Sequence, residues 1–492
     1  MKSYIKILLV IIAVIISGLM PQTVHAEADE RIKQFVEEQR EISEIPGISL
    51  VIVEKGKTVF QEGFGYADID AKTPVTSHTL FELGSTAKAF TALAILQLEK
   101  EGLLQRSDNV QKYIPWLELE YNGEPQTITI DQLLHHTSGI ASKTIVHIPE
   151  SNAENALEET VRTLLDQHLN RKPGSSFEYA TINYDVLGLV IEKVAKQPYD
   201  TYIKQQILEK ANMQDSYAGL HQVKSDEMAT GYKIGWMSAQ QYIPPIYRGN
   251  IPAGYVISNP QDIAEWMKLQ LGNNPDSPID RQLIQQSHVP DQSVEPFDKN
   301  TYYASGWSVM TKDDQKYIYH AGENPTFSSY IIMQPDKQLG VAVLSNMNSS
   351  FTPSSGQNVL NLWEGKNIST NHTDSYQKID QIATIACIVV CVIGVLFLLF
   401  SMRVLRQIIT KKRSRAVNVR RIIFFIIHVL VAVAVWIMII WLPKIPGMTW
   451  KFIEAWAPVS VTTLLYMALA ASLLYFLLGV LLILTRKSRS ID

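Results

Sequence analysis

Phe81-Glu82-Leu83-Gly84-Ser85-Thr86-Ala87-Lys88 opens a run that stays apolar on most sides through Glu101, and this stretch decides how the chain is read. An all-round apolar pattern over Thr86–Glu101 predicts a helix buried in protein, and Gly102 suits its stop. Ser85 stands at the start of that helix with Lys88 three residues on, and positions i and i+3 share a helix face. A hydroxyl is a poor nucleophile until a base takes its proton. Apolar surroundings disfavour an ammonium, lower its pKa, and so fit Lys88 for that task. At a helix start, the backbone N–H of Ser85 also faces outward toward a developing oxyanion. The spacing alone is common: Ser3-Tyr4-Ile5-Lys6 and Ser375-Tyr376-Gln377-Lys378 repeat it. Gly84 before Ser85 and the apolar helix after it set this copy apart.

Outward from the serine, β-rich runs lie at both ends of the same domain. Ile48–Glu54 and Thr58–Gly65 flank Lys55-Gly56-Lys57, a hairpin signal. Ser305–Met310, Tyr317–His320, Ser328–Met333 and Gly340–Leu344 follow much later, the last after a Pro335-Asp336 turn. The chain between is largely helical. The expected fold class is α+β: an antiparallel sheet built from both ends of the domain, flanked by helices, with an inserted helical region. Loops around Ser216–Asn250 and Asn273–Asn300 are expected to shape the pocket.

The ends of the chain differ in kind. Lys2 and Lys6, the short apolar run Ile7–Leu19 and small residues at Val24-His25-Ala26 read as a signal peptide over residues 1–26. Near the other end, Ile382–Met402, Ile422–Leu442 and Val459–Thr485 are long enough to cross a bilayer. Between the first two lie Arg403, Arg406, Lys411, Lys412, Arg413, Arg415, Arg420 and Arg421, and a short loop this basic stays in the cytoplasm. Arg486, Lys487 and Arg489 give the same side. The expected plan is therefore a signal peptide (1–26), an extracytoplasmic domain (27–365), a polar linker (366–381), three transmembrane helices (382–485) and a cytoplasmic tail (486–492).

Composition and motifs exclude other chemistries. The net charge of −4 gives no general case for nucleic acid. Cys387 and Cys391 are the only cysteines and read as small apolar residues of the first span, so the domain has no disulfide. His135 and His136 are adjacent and lack the spacing and carboxylates of a metal motif, so no metal and no cofactor is expected. Asp131 reads as the N-cap of a helix there. No Gly-x-Ser-x-Gly elbow, P-loop or dinucleotide fingerprint occurs.

Two further stretches complete a pattern. Pro173-Gly174-Ser175-Ser176-Phe177-Glu178-Tyr179-Ala180-Thr181-Ile182-Asn183-Tyr184-Asp185-Val186-Leu187-Gly188 and His320-Ala321-Gly322 follow the Ser85 stretch in order. Ile128–Ile140, Pro252-Ala253-Gly254, Gly306-Trp307 and Gly340–Asn346 support them. Over about Glu30 to Ser350 the chain resembles the serine penicillin-binding-protein and β-lactamase superfamily. The resemblance implies that Ser85 is the acylated nucleophile, Lys88 its partner and Tyr179 the tyrosine that shuttles protons. His320-Ala321-Gly322 matches the strand motif that usually reads Lys-Thr-Gly, and the N–H of Glu323 would complete the oxyanion hole with that of Ser85. A His there puts strong binding of a β-lactam carboxylate in doubt. Thr181 replaces the motif asparagine, Asn183 being out of register. Thr181 and Asn324 would then meet a substrate carboxamide, which makes Thr181, His320, Gly322, Glu323 and Asn324 the expected binding and oxyanion residues.

Two membrane-anchored branches are similar to this arrangement: FmtA-like cell-envelope hydrolases and the colibactin-activating peptidases. They imply hydrolysis of an amide or peptide bond next to a D-amino acid, in a small-molecule or peptide substrate, with the bilayer as a partner and an exporter or the cell wall as a further one. A penicillin-binding receptor, an esterase and an inactive binding module are the alternatives. A receptor would need an output domain, and only Arg403–Arg421 and a short tail lie on the cytoplasmic side.

Overall fold

The structure is a computed structural model that describes residues 28–274, 277–445 and 447–488. The signal-peptide expectation lies outside these residues, as does Arg489. The described residues form two compact units, one from 28–232 with 241–374 and one from 233–240 with 375–488.

The first unit is built on an antiparallel eight-stranded sheet. Its strands in chain order are β1 (Gly47–Glu54), β2 (Lys57–Asp68), β3 (Thr73–Pro74), β4 (Thr301–Tyr303), β5 (Ser308–Lys312), β6 (Gln315–Asn324), β7 (Phe327–Gln334) and β8 (Leu339–Ser345). They lie in the order β4-β5-β6-β7-β8-β1-β2-β3, so the last strand of the domain pairs with the first, Ile48 opposite Ser345. This is the closure expected from β-rich runs at both ends. The β1–β2 turn is Lys55-Gly56, both at positive φ, the geometry a two-residue hairpin needs. The expected strand at Ser305 begins only at Ser308. Gly306 has φ +80° and lies so close to the helix after Ser85 that a Cβ on it would sit 2.6 Å from Ala89 Cα. The chain turns there before it can pair.

Helices cover the sheet and fill the insertion. The first runs over residues 28–43 (α1), followed by α2 (Lys88–Lys100), α3 (Ile130–Leu134), α4 (Ile182–Ala195), α5 (Pro260–Gln270) and α6 (Phe351–Trp363). Helix α5 packs on β1, and α6 packs on β7 and β8. Helix α2 is central: every residue from Lys88 to Leu98 is buried, and Phe90 stacks on Trp266 of α5 with ring centroids 4.3 Å apart. The cap of α3 falls two residues before the one expected. Thr129 and Gln132 form a reciprocal capping box, while Asp131 lies in the first turn, 3.5 Å from Arg106.

The second unit holds three helices long and apolar enough to cross a membrane: α7 (Ser375–Ile409), α8 (Val419–Trp441) and α9 (Val459–Leu484). Helix α7 starts at Ser375, so the second half of the expected linker is already helical.

Candidate active site

Gly84 makes the site possible. It has φ +53°, and a Cβ on it would lie 2.4 Å from the N of Glu323 and 2.6 Å from the carbonyl carbon of Gly322. Only a residue without a side chain lets the Ser85 backbone lie directly against β6. The backbones of Ser85 and Glu323 are thereby brought side by side, as an oxyanion hole requires.

Ser85 sits in a single 3₁₀ turn, Gly84–Ala87, that runs into α2 at Lys88. Lys88 Nζ lies 3.0 Å from Ser85 Oγ and donates to the Ala253 carbonyl at 2.7 Å. Burial pulls the Lys88 pKa down to about 7, and Asp185 pulls against it. At neutral pH a large fraction of Lys88 is therefore the free amine, whose lone pair can accept the Ser85 O–H proton. Asp185 is buried in α4 and accepts from Asn250 Nδ2 at 2.7 Å. Burial pushes its carboxyl well up, with Asn250 and Lys88 opposing.

Tyr179 closes the other side. Lys88 Nζ stands 5.1 Å from the centroid of its ring. The Tyr179 hydroxyl is buried and faces the Ser85 side chain. Burial raises its pKa above the ordinary phenol range, Ser85 opposes this, and Glu323 adds to it. A phenol held protonated is a proton donor, which suits delivery to a leaving group. Its ring is backed by His136 at 4.3 Å. His136 Nδ1 faces Asn183 Nδ2 at 3.0 Å and the Ala180 N–H at 3.3 Å. Asn183 is thus turned into the core, and Thr181, half-buried ahead of α4, occupies the motif position. The two adjacent histidines diverge, since His135 Nδ1 turns to the Asp131 carbonyl at 2.9 Å. No group of three or more potential metal ligands occurs among the described residues.

His320 lies on β6 with its ring buried. Nδ1 is 2.6 Å from the Ala321 carbonyl and Nε2 is 2.9 Å from the Tyr303 hydroxyl. The carbonyl can only accept, so Nδ1 carries the proton and Nε2 accepts from Tyr303. Burial, with Lys88 adding to it, holds the His320 pKa down at about 3. This position therefore offers a neutral ring where a lysine would offer charge.

Asn324, expected to meet a substrate carboxamide, has its Oδ1 left to do so. Its Nδ2 donates to Glu82 Oε2 at 2.7 Å and to the Gly254 carbonyl at 2.9 Å, which engages both of its N–H groups. Glu82 is itself buried, and burial raises its pKa to about 7 against the Asn324 bond. Glu82 also lines a cavity of about 430 Å³ with Met228, Tyr247, Ile251, Tyr255 and Phe327. Much of that lining comes from residues 219–251.

Three contributors were not singled out in the sequence: Ala253, Tyr303 and Asp185. Ala253 acts through its carbonyl, which any residue possesses; its only signal is the Pro252-Ala253-Gly254 stretch. Tyr303 and Asp185 have no spacing that ties them to Ser85, since sheet pairing and helix packing bring them in.

A serine beside a buried amine and a buried phenol, on this fold, is the arrangement of the β-lactamase and penicillin-binding family of serine hydrolases. Residues 32–361 match the Beta-lactamase family, and the chain belongs to it. Protein flp of Staphylococcus aureus (strain N315) is 31% identical over 452 residues, 90% of this chain and 89% of that protein. The putative penicillin-binding protein PbpX of Bacillus subtilis is 39% identical over 199 residues, 40% of this chain and 48% of its own. Among solved structures, the octameric penicillin-binding protein homologue from Pyrococcus abyssi aligns with a TM-score of 0.62 and 29% identity, over 72% of this chain and 81% of that one.

Proposed function

We propose that this protein is an extracytoplasmic, membrane-anchored serine hydrolase that cleaves an amide or peptide bond next to a D-amino acid through an acyl-enzyme. The 3.0 Å contact between Ser85 and the buried Lys88 carries this reading. Lys88 takes the Ser85 proton as Oγ attacks the carbonyl carbon. The oxyanion forms against the N–H groups of Ser85 and Glu323. Tyr179 gives its proton to the departing amine, and water later releases the acyl group. Neutral His320 disfavours a substrate that depends on a carboxylate at that strand, which points to an N-acyl or internal D-residue and away from a β-lactam. A prodrug-activating peptidase and a cell-wall D-amino-acid hydrolase share this chemistry. Incubating the purified protein with a panel of D- and L-amino-acid amides tests it. Release from the D series with an acyl adduct on Ser85 is expected, and exclusive turnover of the L series overturns the D preference.

The basic loop Arg403–Arg421 supports the sidedness. With an impermeant thiol reagent on intact cells, Lys299→Cys should label, and Ser414→Cys should label only after lysis. The reverse pattern would move the chemistry to the cytoplasm.

A further inference from the structure

Glu82 is a buried carboxyl with no cation of its own. It is 6% exposed, and Oε2 accepts from Asn324 Nδ2 at 2.7 Å. Oε1 accepts no hydrogen bond, and no ion pair reaches the carboxyl, among the described residues. Carboxylates are almost never buried unless they are paired. Thr326 is a second polar side chain of this kind: it is wholly buried, and its Oγ1 has no partner among the described residues. Tyr255 stands beside the carboxyl, since burial raises its phenol and Glu82 adds to the rise.

All three line the cavity of about 430 Å³, whose wall lies entirely within the first unit. That volume is in the range of small-molecule sites. The rest of the wall is largely apolar, with Met228, Ile251, Ile257 and Phe327. Arg248 and His221 also reach it, but both already hold Asp200 Oδ2, Arg248 Nη2 at 3.2 Å and His221 Nε2 at 2.7 Å. Ser85, Lys88, Tyr179 and His320 take no part in the wall, so the cavity is separate from the catalytic site. What the cavity lacks is a donor for Glu82 Oε1, and a cationic donor would also offset the cost of burying that charge.

We propose that this cavity binds a small primary amine with an aryl or alkyl body, its ammonium donating to Glu82 Oε1 and its body packed on Met228, Ile257 and Phe327. The Thr326 hydroxyl offers a further uncommitted acceptor in the same wall. An ammonium has three N–H groups and no acceptor, which suits a wall that presents acceptors. An alcohol gains the hydrogen bond without the charge, and a carboxylate meets the like charge of Glu82. The site goes beyond the hydrolase reading and does not depend on it.

The test uses the full chain in detergent at about pH 8, where Glu82 is largely ionised and a primary amine still carries its proton. Isothermal titration compares phenethylamine, phenethyl alcohol and phenylacetate, which share a ring and differ in the end group. The amine should bind at least about tenfold more tightly than the alcohol, and the carboxylate more weakly than either. Glu82→Gln should weaken the amine by about tenfold and leave the alcohol within about twofold. Thr326→Val should weaken the amine by about threefold. Met228→Trp, which fills the cavity, should remove binding of both amine and alcohol. Melting temperatures show which variants are folded, and the wild-type ranking of the three compounds needs no variant. Equal binding of the three, a preference for the carboxylate, no binding of any, or amine binding unchanged in folded Glu82→Gln or Met228→Trp overturns the proposal. Turnover is not read, so a failure of the hydrolase reading leaves this result to stand or fall alone.

Discussion

Helices α2 and α9 carry the same pattern, apolar on every side, yet only α2 is buried in protein. Helix α2 has 13 residues and buries all from Lys88 to Leu98, whereas α9 has 26 residues and buries only Ser460. At 1.5 Å per residue they span about 20 Å and about 39 Å, against a hydrocarbon core of about 30 Å. The pattern alone does not tell the two apart, whereas length does: only α9 is long enough to cross a bilayer. Each region also buries an ionisable side chain. Lys88 is held by one carbonyl and faces the nucleophile, while Asp380 is closed in by two N–H groups and a hydroxyl. A buried charge aimed at a reacting atom does chemistry. One closed in by three donors holds structure.

Removing the nucleophile gives the sharpest break. Ser85→Ala should abolish turnover and fluorophosphonate labelling while leaving the circular dichroism and melting temperature unchanged, because a methyl group has no lone pair to attack with. An adduct on any peptide lacking Ser85 ends the assignment.

Next come the proton carriers. Lys88→Ala and Tyr179→Phe should each slow acylation by about a thousandfold or more, as expected when a proton-transfer group is lost from the transition state. In wild type the rate should climb as pH rises through about 7, because only the neutral Lys88 amine can accept a proton. His320, held down at about 3, stays neutral across that range and adds no limb of its own. A flat profile from pH 5 to about 9 would take the base role away from Lys88.

How far the sequence leads depends on what kind of interaction fixes each residue. Ser85 and Lys88 were legible because one helical turn sets their distance. The sheet was legible because alternation and turn residues are local, and β8 pairs with β1 as expected. Asp131 was misplaced as a cap because Thr129 with Gln132 satisfies two N–H groups where Asp131 would satisfy one. Asn324 looked available because it follows Gly322 on the strand, and although its Nδ2 is drawn to Glu82, 242 residues away in the chain, its Oδ1 is left. The grip of Asp380 on residues 236 and 237 spans about 140 positions and uses only backbone donors, which leave no mark in a sequence.

The smallest expected effect asks whether Lys88 is tuned by its buried neighbour or by burial alone. Asp185 is fully buried, with Oδ2 bonded to Asn250 and Oδ1 without a partner among the described residues. Burial pushes Asp185 up and Lys88 down, and each group pulls the other back toward its ordinary range. Asp185→Asn keeps the shape and an oxygen to accept from Asn250, but removes the negative charge. Lys88 then loses the one influence that favours its ammonium form, so its pKa should fall further. The acid limb of the acylation profile should therefore move to lower pH, by less than about one unit, with the plateau little changed. At about pH 6 the variant should run at a larger fraction of its own maximum than wild type does. Labelling rates with a fluorophosphonate across a pH series read this directly. A limb that stays in place would mean that burial alone sets the base, and a limb that moves upward would mean that the group titrating is not Lys88.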